Sequence, residues 1–163
     1  MRFFIVGLCI AMAMTGCKTG LDNKEEWQPN EALPQLKAKW EKEYAAWKKL
    51  NIQDYQFVYS ILDIGVNQKI TVKNGIHESA IDIYFDELGD PFFKTIDEIF
   101  ESIYEDFLIE ENHEYSPDQT SIHFSVGYDP EYHYPVEYTR IDKYNVMMDG
   151  SGFSLLISEF TPL

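Results

Sequence analysis

The spacing of apolar residues changes several times along the chain, and each change marks an element. From Gln35 to Leu50, Leu36, Trp40, Tyr44 and Trp47 recur at helical spacing and form one stripe, with Lys and Glu on the other faces. Tyr55, Phe57, Tyr59 and Ile61 then alternate with Gln56, Val58 and Ser60, the period of a strand with one buried face. Two more extended runs, Lys69 to Lys73 and Ile81 to Phe85, flank Asn74-Gly75. That dipeptide predicts a tight hairpin turn, because such a turn needs positive φ at both central residues. Asp86 to Pro91 breaks the pattern. A second helix is predicted from Thr95: Thr95 and Glu98 have capping-box spacing, Asp97 suits the positive helix end, and Ile96, Ile99, Phe100, Ile103, Phe107 and Leu108 make one face. Glu110, Glu111 and Glu114 crowd its other end, where the helix dipole disfavours acids.

The remainder reads as a meander. Ile122, Phe124 and Val126 alternate; Gly127 to Pro135 turns; Val136 to Tyr144 extends; Asp149-Gly150 turns; and Phe153 to Phe160 closes. The predicted class is α+β, an antiparallel sheet of about five to six strands with two helices packed on one face.

The first residues follow a different rule. Arg2 precedes an apolar stretch from Phe3 to Met14, which has the length of a signal-peptide core and is short for a membrane-spanning helix. It ends in Met14-Thr15-Gly16-Cys17, small residues before a cysteine, and resembles a bacterial lipobox. The expectation is therefore a signal peptide over 1–16, a flexible tether over 17–33 and one domain over 34–163. Cys17 would be acylated and would hold the chain at a membrane, since two or more acyl chains give a stable anchor. Lys18 follows it. An Asp there would favour retention in the inner membrane of a two-membrane bacterium, so the expected location is the outer membrane in such a host and the outer face of the cell membrane otherwise.

Charge narrows the partners. Removal of residues 1–16 takes away Arg2 and no acid, leaving 12 basic residues against 28 acidic ones, a net charge of −16. Nucleic acids and anionic headgroups repel such a surface, so nucleic-acid binding is not expected. Of two cysteines, Cys9 lies in the signal segment and Cys17 would be lipidated, which leaves no disulfide to brace the domain. Stability then rests on the core; the full chain's 11 Tyr, 11 Phe and 3 Trp, most of them in the domain, supply large apolar area.

Four segments taken together carry a resemblance: Tyr55-Gln56-Phe57-Val58-Tyr59 after a tryptophan-bearing helix, Ile70 to Gly75, the helix start Thr95 to Phe100, and Val126-Gly127-Tyr128-Asp129-Pro130-Glu131-Tyr132-His133-Tyr134-Pro135. The chain from about Trp40 to its end resembles an uncharacterised family of bacterial secreted and lipoprotein domains, domain of unknown function 6174. It departs from the pattern in two places. Cysteines found in members near the stretch matching Ser60 to Gly65 are missing, and His133 stands where many members have Gly. The resemblance implies export and fold, and implies no activity.

Candidate chemistry is sparse. Tyr128, Asp129, Tyr132, His133 and Tyr134 lie in a loop with two prolines and three tyrosines, a composition suited to holding a peptide or sugar ring. The same residues also read as a structured hairpin connection, with Asp129-Pro130 starting the turn. Only an exposed patch of several hundred Å² formed by Tyr128, Tyr132 and Tyr134 would favour binding. His113, His123 and His133 with nearby acids lack the spacing of a zinc signature. Asp82, Asp86, Glu87 and Asp90 do not match a calcium loop. Ser151 lacks a nucleophile elbow, and no phosphate-binding glycine loop is present. The expected function is a non-enzymatic, membrane-tethered domain that binds an envelope protein or peptide and needs no cofactor or metal. The alternative is a small metal-dependent or hydrolytic envelope enzyme using His123 and His133, which requires those side chains to converge in a pocket.

Overall fold

The structure, a computed structural model, describes residues 30–112, 119–144 and 152–163. Cys17 and most of the expected tether, His113, Glu114, the Asp149-Gly150 turn and Ser151 lie outside these residues. In chain order the elements are α1 (Leu33–Leu50), β1 (Tyr55–Ile61), β2 (Val66–Lys73), β3 (Ile76–Asp82), β4 (Glu87–Leu88), α2 (Ile96–Asn112), β5 (Gln119–Tyr128), β6 (Pro135–Tyr144) and β7 (Gly152–Pro162). The strands form one sheet in the order β4-β3-β2-β1-β7-β6-β5, and every neighbouring pair is antiparallel.

The class is α+β, but the sheet has seven strands, not five to six. The added strand is β4, whose Leu88 and Glu87 pair with Ile81 and Asp82. The extended run expected to continue to Phe85 ends at Asp82 for a local reason. The Asp82 carboxylate accepts the Tyr84 and Phe85 amides at 2.9 and 3.2 Å, closing a turn that folds the chain back onto β3. Asn74 and Gly75 join β2 to β3 with φ of 52° and 72°, the doubly left-handed geometry of a hairpin turn.

One face of the sheet carries the core. Tyr55, Phe57, Tyr59 and Ile61 of β1 are buried between Ile70 and Val72 of β2 and Leu155 and Ile157 of β7. A bulge at Ser158 lets Ile157 and Phe160 point to this same face although they are three residues apart. Both helices cover it. Trp47 of α1 meets Tyr55 and Phe160 edge-on at 5.6 and 5.7 Å, and Phe107 of α2 meets Phe124 at 5.3 Å. The helices run antiparallel: Lys37 pairs with Glu111 and Lys48 with Asp97 at opposite ends, and between them Trp40 stacks on Tyr104 at 4.7 Å. The Trp40 indole also donates to the Phe100 carbonyl at 2.9 Å. Glu111 and the buried Glu110 thus have partners that offset the helix dipole, Lys37 for the first and the Asn30 amide for the second.

The entry to α2 is held from below by tyrosine hydroxyls. Tyr59 accepts the amides of Phe92 (2.8 Å) and Phe93 (3.2 Å) and donates to Gln68. Tyr55 accepts the amide of Ile96 at 3.2 Å. Thr95 caps the Glu98 amide, while the Glu98 carboxylate reaches the Lys94 amide, one residue short of the reciprocal bond in a standard capping box.

Trp40 is the tie between the helices. Trp40→Phe should cost about 1–2 kcal/mol in urea unfolding, the sum of a lost hydrogen bond and part of a ring contact. A loss below about 0.5 kcal/mol would show that α1 and α2 are held by their shared packing on the sheet instead.

Candidate functional site

The loop singled out in the sequence joins β5 to β6 and is tightly self-bonded. The Asp129 carboxylate accepts the amides of Glu131 and Tyr132 at 2.9 and 2.7 Å. The Asp129 amide donates to the Tyr134 carbonyl, and the His133 amide donates to the Asp129 carbonyl. His133 takes φ of 64°, a left-handed conformation that costs glycine nothing. Its Nδ1 lies 2.7 Å from a carboxylate oxygen of Glu43, a contact that fastens the loop to α1.

The loop's rings turn inward. Tyr134 is buried, with its ring 4.7 Å from that of Phe160, and half-buried Tyr132 lies 5.2 Å from the same ring. Tyr128 stacks on Phe100 at 6.0 Å, has the Lys39 ammonium 5.2 Å above it, and encloses a hydroxyl that has no hydrogen-bond partner among the described residues. Burial raises the Tyr134 phenol to about 12, and burial followed by the Glu43 charge raises that of Tyr128. These three tyrosines therefore do not form the exposed patch that would favour binding here. His123 is exposed and alternates with buried Ile122, which puts it on the sheet face away from the helices and from His133. The two histidines do not converge. Among the described residues no three His, Cys, Asp or Glu side chains group as metal ligands would.

The family model matches residues 39–162, the stretch that holds all four of the segments that carry the resemblance. The chain belongs to DUF6174, a family of unknown function. No curated protein and no solved structure matches the chain. Membership spans α1 through β7, so the DUF6174 domain is the whole described fold save the first turns of α1. Among the described residues no helix is long and apolar enough to cross a membrane.

The DUF6174 domain has a second constellation, which the sequence analysis missed. Arg140 of β6 lies between two carboxylates: its Nη1 contacts Asp106 of α2, and its Nε donates to Asp142 at 2.9 Å. The other Asp106 oxygen accepts the buried Tyr138 hydroxyl at 2.6 Å. Burial alone would lower the arginine pKa, yet the bond to Asp142 and the charges of Asp106 and Asp142 outweigh it and raise it. Burial, then the Asp106 charge, pushes the Tyr138 phenol far above its ordinary range. The Arg140 guanidinium therefore stays charged and the Tyr138 phenol stays neutral near neutral pH.

This network floors a groove of about 400 Å³ lined by Phe92, Phe93, Ser102, Asp106, Arg140, Asp142, Gly152 and Phe153. Phe92 is 59% exposed and its ring centre is 6.5 Å from that of Phe153. The two rings make an open aromatic wall beside fixed charges. No short motif announces the groove, because its parts come from the connection before α2, from α2, from β6 and from β7.

Arg140→Met leaves two carboxylates facing a half-buried groove and should cost about 1–3 kcal/mol in urea unfolding. Phe92→Ala removes a ring already mostly in water and should cost less than about 1 kcal/mol. Equal losses for the two would contradict the division between a structural floor and an open wall.

Proposed function

We propose that this DUF6174 chain is a non-enzymatic binding domain of a bacterial cell envelope, held to a membrane by lipid on Cys17, with the groove walled by Phe92 and Phe153 as its binding surface. The observation that carries the reading is the contrast between the two aromatic sites. The tyrosines of the β5–β6 loop are spent on packing, whereas Phe92 is solvated and forms with Phe153 an aromatic wall beside a preorganised charged floor. An apolar side chain of an envelope protein or peptide fits such a slot, gaining ring contact without asking the floor to reorganise. The lipobox at Met14 to Cys17 and the net charge of −16 support export and a partner other than nucleic acid. In a two-membrane host the outer membrane is the location this reading favours, because Lys18 follows the anchor cysteine.

The test is crosslinking of the tagged full-length protein in living cells, with captured partners identified by mass spectrometry. Labelled palmitate should enter the wild type and be absent from Cys17→Ser. A partner captured by the wild type and by Tyr132→Ala, but lost from Phe92→Ala, is the expected result. Loss from Tyr132→Ala with retention in Phe92→Ala would return the binding surface to the tyrosine loop, and identical captures from all three would remove both.

A further inference from the structure

Exposed large apolar side chains collect at one end of the sheet. Leu62 and Ile64 lie in the one-turn 3₁₀ segment Leu62–Ile64 between β1 and β2, and Ile83, Tyr84 and Phe85 lie in the turn between β3 and β4. Leu88 of β4 follows at 82% exposure, with Phe85 at 74%. The two loops adjoin, since the Ile83 amide donates to the Asn67 carbonyl just after Gly65. Their fold gives no reason for so much apolar surface in water, and two nearby acids are engaged by backbone amides. Asp63 accepts the Ser154 amide at 2.6 Å and Asp82 accepts two turn amides, leaving Asp86 and Glu87 at the rim.

The register of the sheet puts the start of the described chain at this same end. Ile61 sits level with Val66 and Leu155, Leu155 with Tyr138, and Tyr138 with Val126. Beyond that level lie the apolar loops on one side of the sheet and Ile122 on the other. Asn30 is bonded there, its side chain donating to the Ile122 carbonyl at 3.2 Å and its amide to Glu110 at 3.1 Å. The opposite end carries the Asn74-Gly75 turn, the Tyr128–Pro135 loop and Leu163.

We infer that the loops carrying Leu62, Ile64, Tyr84, Phe85 and Leu88 rest in the surface of the membrane to which the chain is tethered. The inference rests on the lipid-anchored reading above. Residues 18–29 separate the anchor cysteine from Asn30. A stretch of thirteen Cα-to-Cα steps reaches at most about 45 Å. Strands are about 4.8 Å apart, so the apolar loops lie roughly 14–29 Å across the sheet from Asn30. The tether thus brings this end down to the bilayer without a detour around the domain. Tethering also supplies a high local concentration, so a shallow insertion of aromatic and aliphatic side chains needs little intrinsic affinity. The rim acids select uncharged, zwitterionic headgroups. The Phe92 groove opens off the helix-covered face beside this end, which would present it to partners close to the membrane surface.

The test couples the mature chain, residues 17–163, to a maleimide lipid through Cys17, its sole cysteine, so that the geometry is read whether or not cells acylate that residue. In a Trp27→Phe background, whose remaining Trp40 and Trp47 signal is measured alone and subtracted, Phe85→Trp and Leu163→Trp each place a reporter at one end of the sheet. Both are reconstituted in phosphatidylcholine vesicles with brominated acyl chains. The fluorescence of the tryptophan introduced at 85 should fall about twofold or more, because a ring inserted about 5–10 Å into the interface reaches the bromines. The reporter at 163 should keep its intensity. No quenching at 85, or equal quenching at both ends, overturns the inference, including the case in which position 85 crosslinks to an envelope protein in cells. Failure of palmitate labelling with quenching at 85 intact would instead overturn the anchored reading alone.

Discussion

The Tyr59 hydroxyl accepts from two backbone amides, those of Phe92 and Phe93, and donates to Gln68, so one buried oxygen joins β1, β2 and the connection into α2. Tyr55, four residues earlier on the same face, does the same for Ile96 at the first turn of the helix. An irregular segment crossing above a sheet leaves its amides without ladder partners, and each one unsatisfied under the helices would cost about 1–3 kcal/mol. The two phenols answer that requirement from within the core. Burial raises both, that of Tyr55 to about 12, so they remain protonated neutral groups near neutral pH.

The groove follows from that placement. With the backbone of Phe92 and Phe93 held on Tyr59, Phe93 turns into the core while Phe92 is left in solvent against Phe153. On the other side, Arg140 is fixed by Asp106 and Asp142, and Asp106 by Tyr138. Aromatic hydroxyls therefore organise both the wall and the floor. This accounts for a tyrosine-rich core where phenylalanine would pack as well: the oxygen meets a polar group that the topology leaves behind. The described residues contain no cysteine, so such bonds stand where covalent bracing could not.

Much of the fold was legible wherever one side of an element met the core and the other met water. Alternation in Tyr55 to Ile61, the stripe from Leu36 to Trp47, the Asn74-Gly75 turn and the Thr95 cap each have a local physical cause. Strand β4 escaped because its two residues sit among turn formers, and its pairing comes from Asp82 closing the turn before it. The Ile83-Tyr84-Phe85 run misled for the converse reason, being apolar yet placed at the surface. At the candidate site, Asp129 turn chemistry was readable and explains the loop without a ligand, while the inward packing of its tyrosines depends on Phe100 and Phe160, which are distant in the chain. Asp106 and Arg140, 34 residues apart, meet only once α2 lies across β6, and no local pattern encodes that meeting.

Amide hydrogen exchange followed by NMR tests the central claim most directly. If Tyr55 and Tyr59 hold the α2 entry, the amides of Phe92, Phe93 and Ile96 exchange as slowly as those of the β1–β2 ladder, although they belong to no strand and Phe92 and Phe93 to no helix. In Tyr59→Phe, Phe92 and Phe93 should lose that protection while Ile96 keeps it. Fast exchange at all three in the wild type, at the rate of an open loop, would contradict the account and detach the groove from the core.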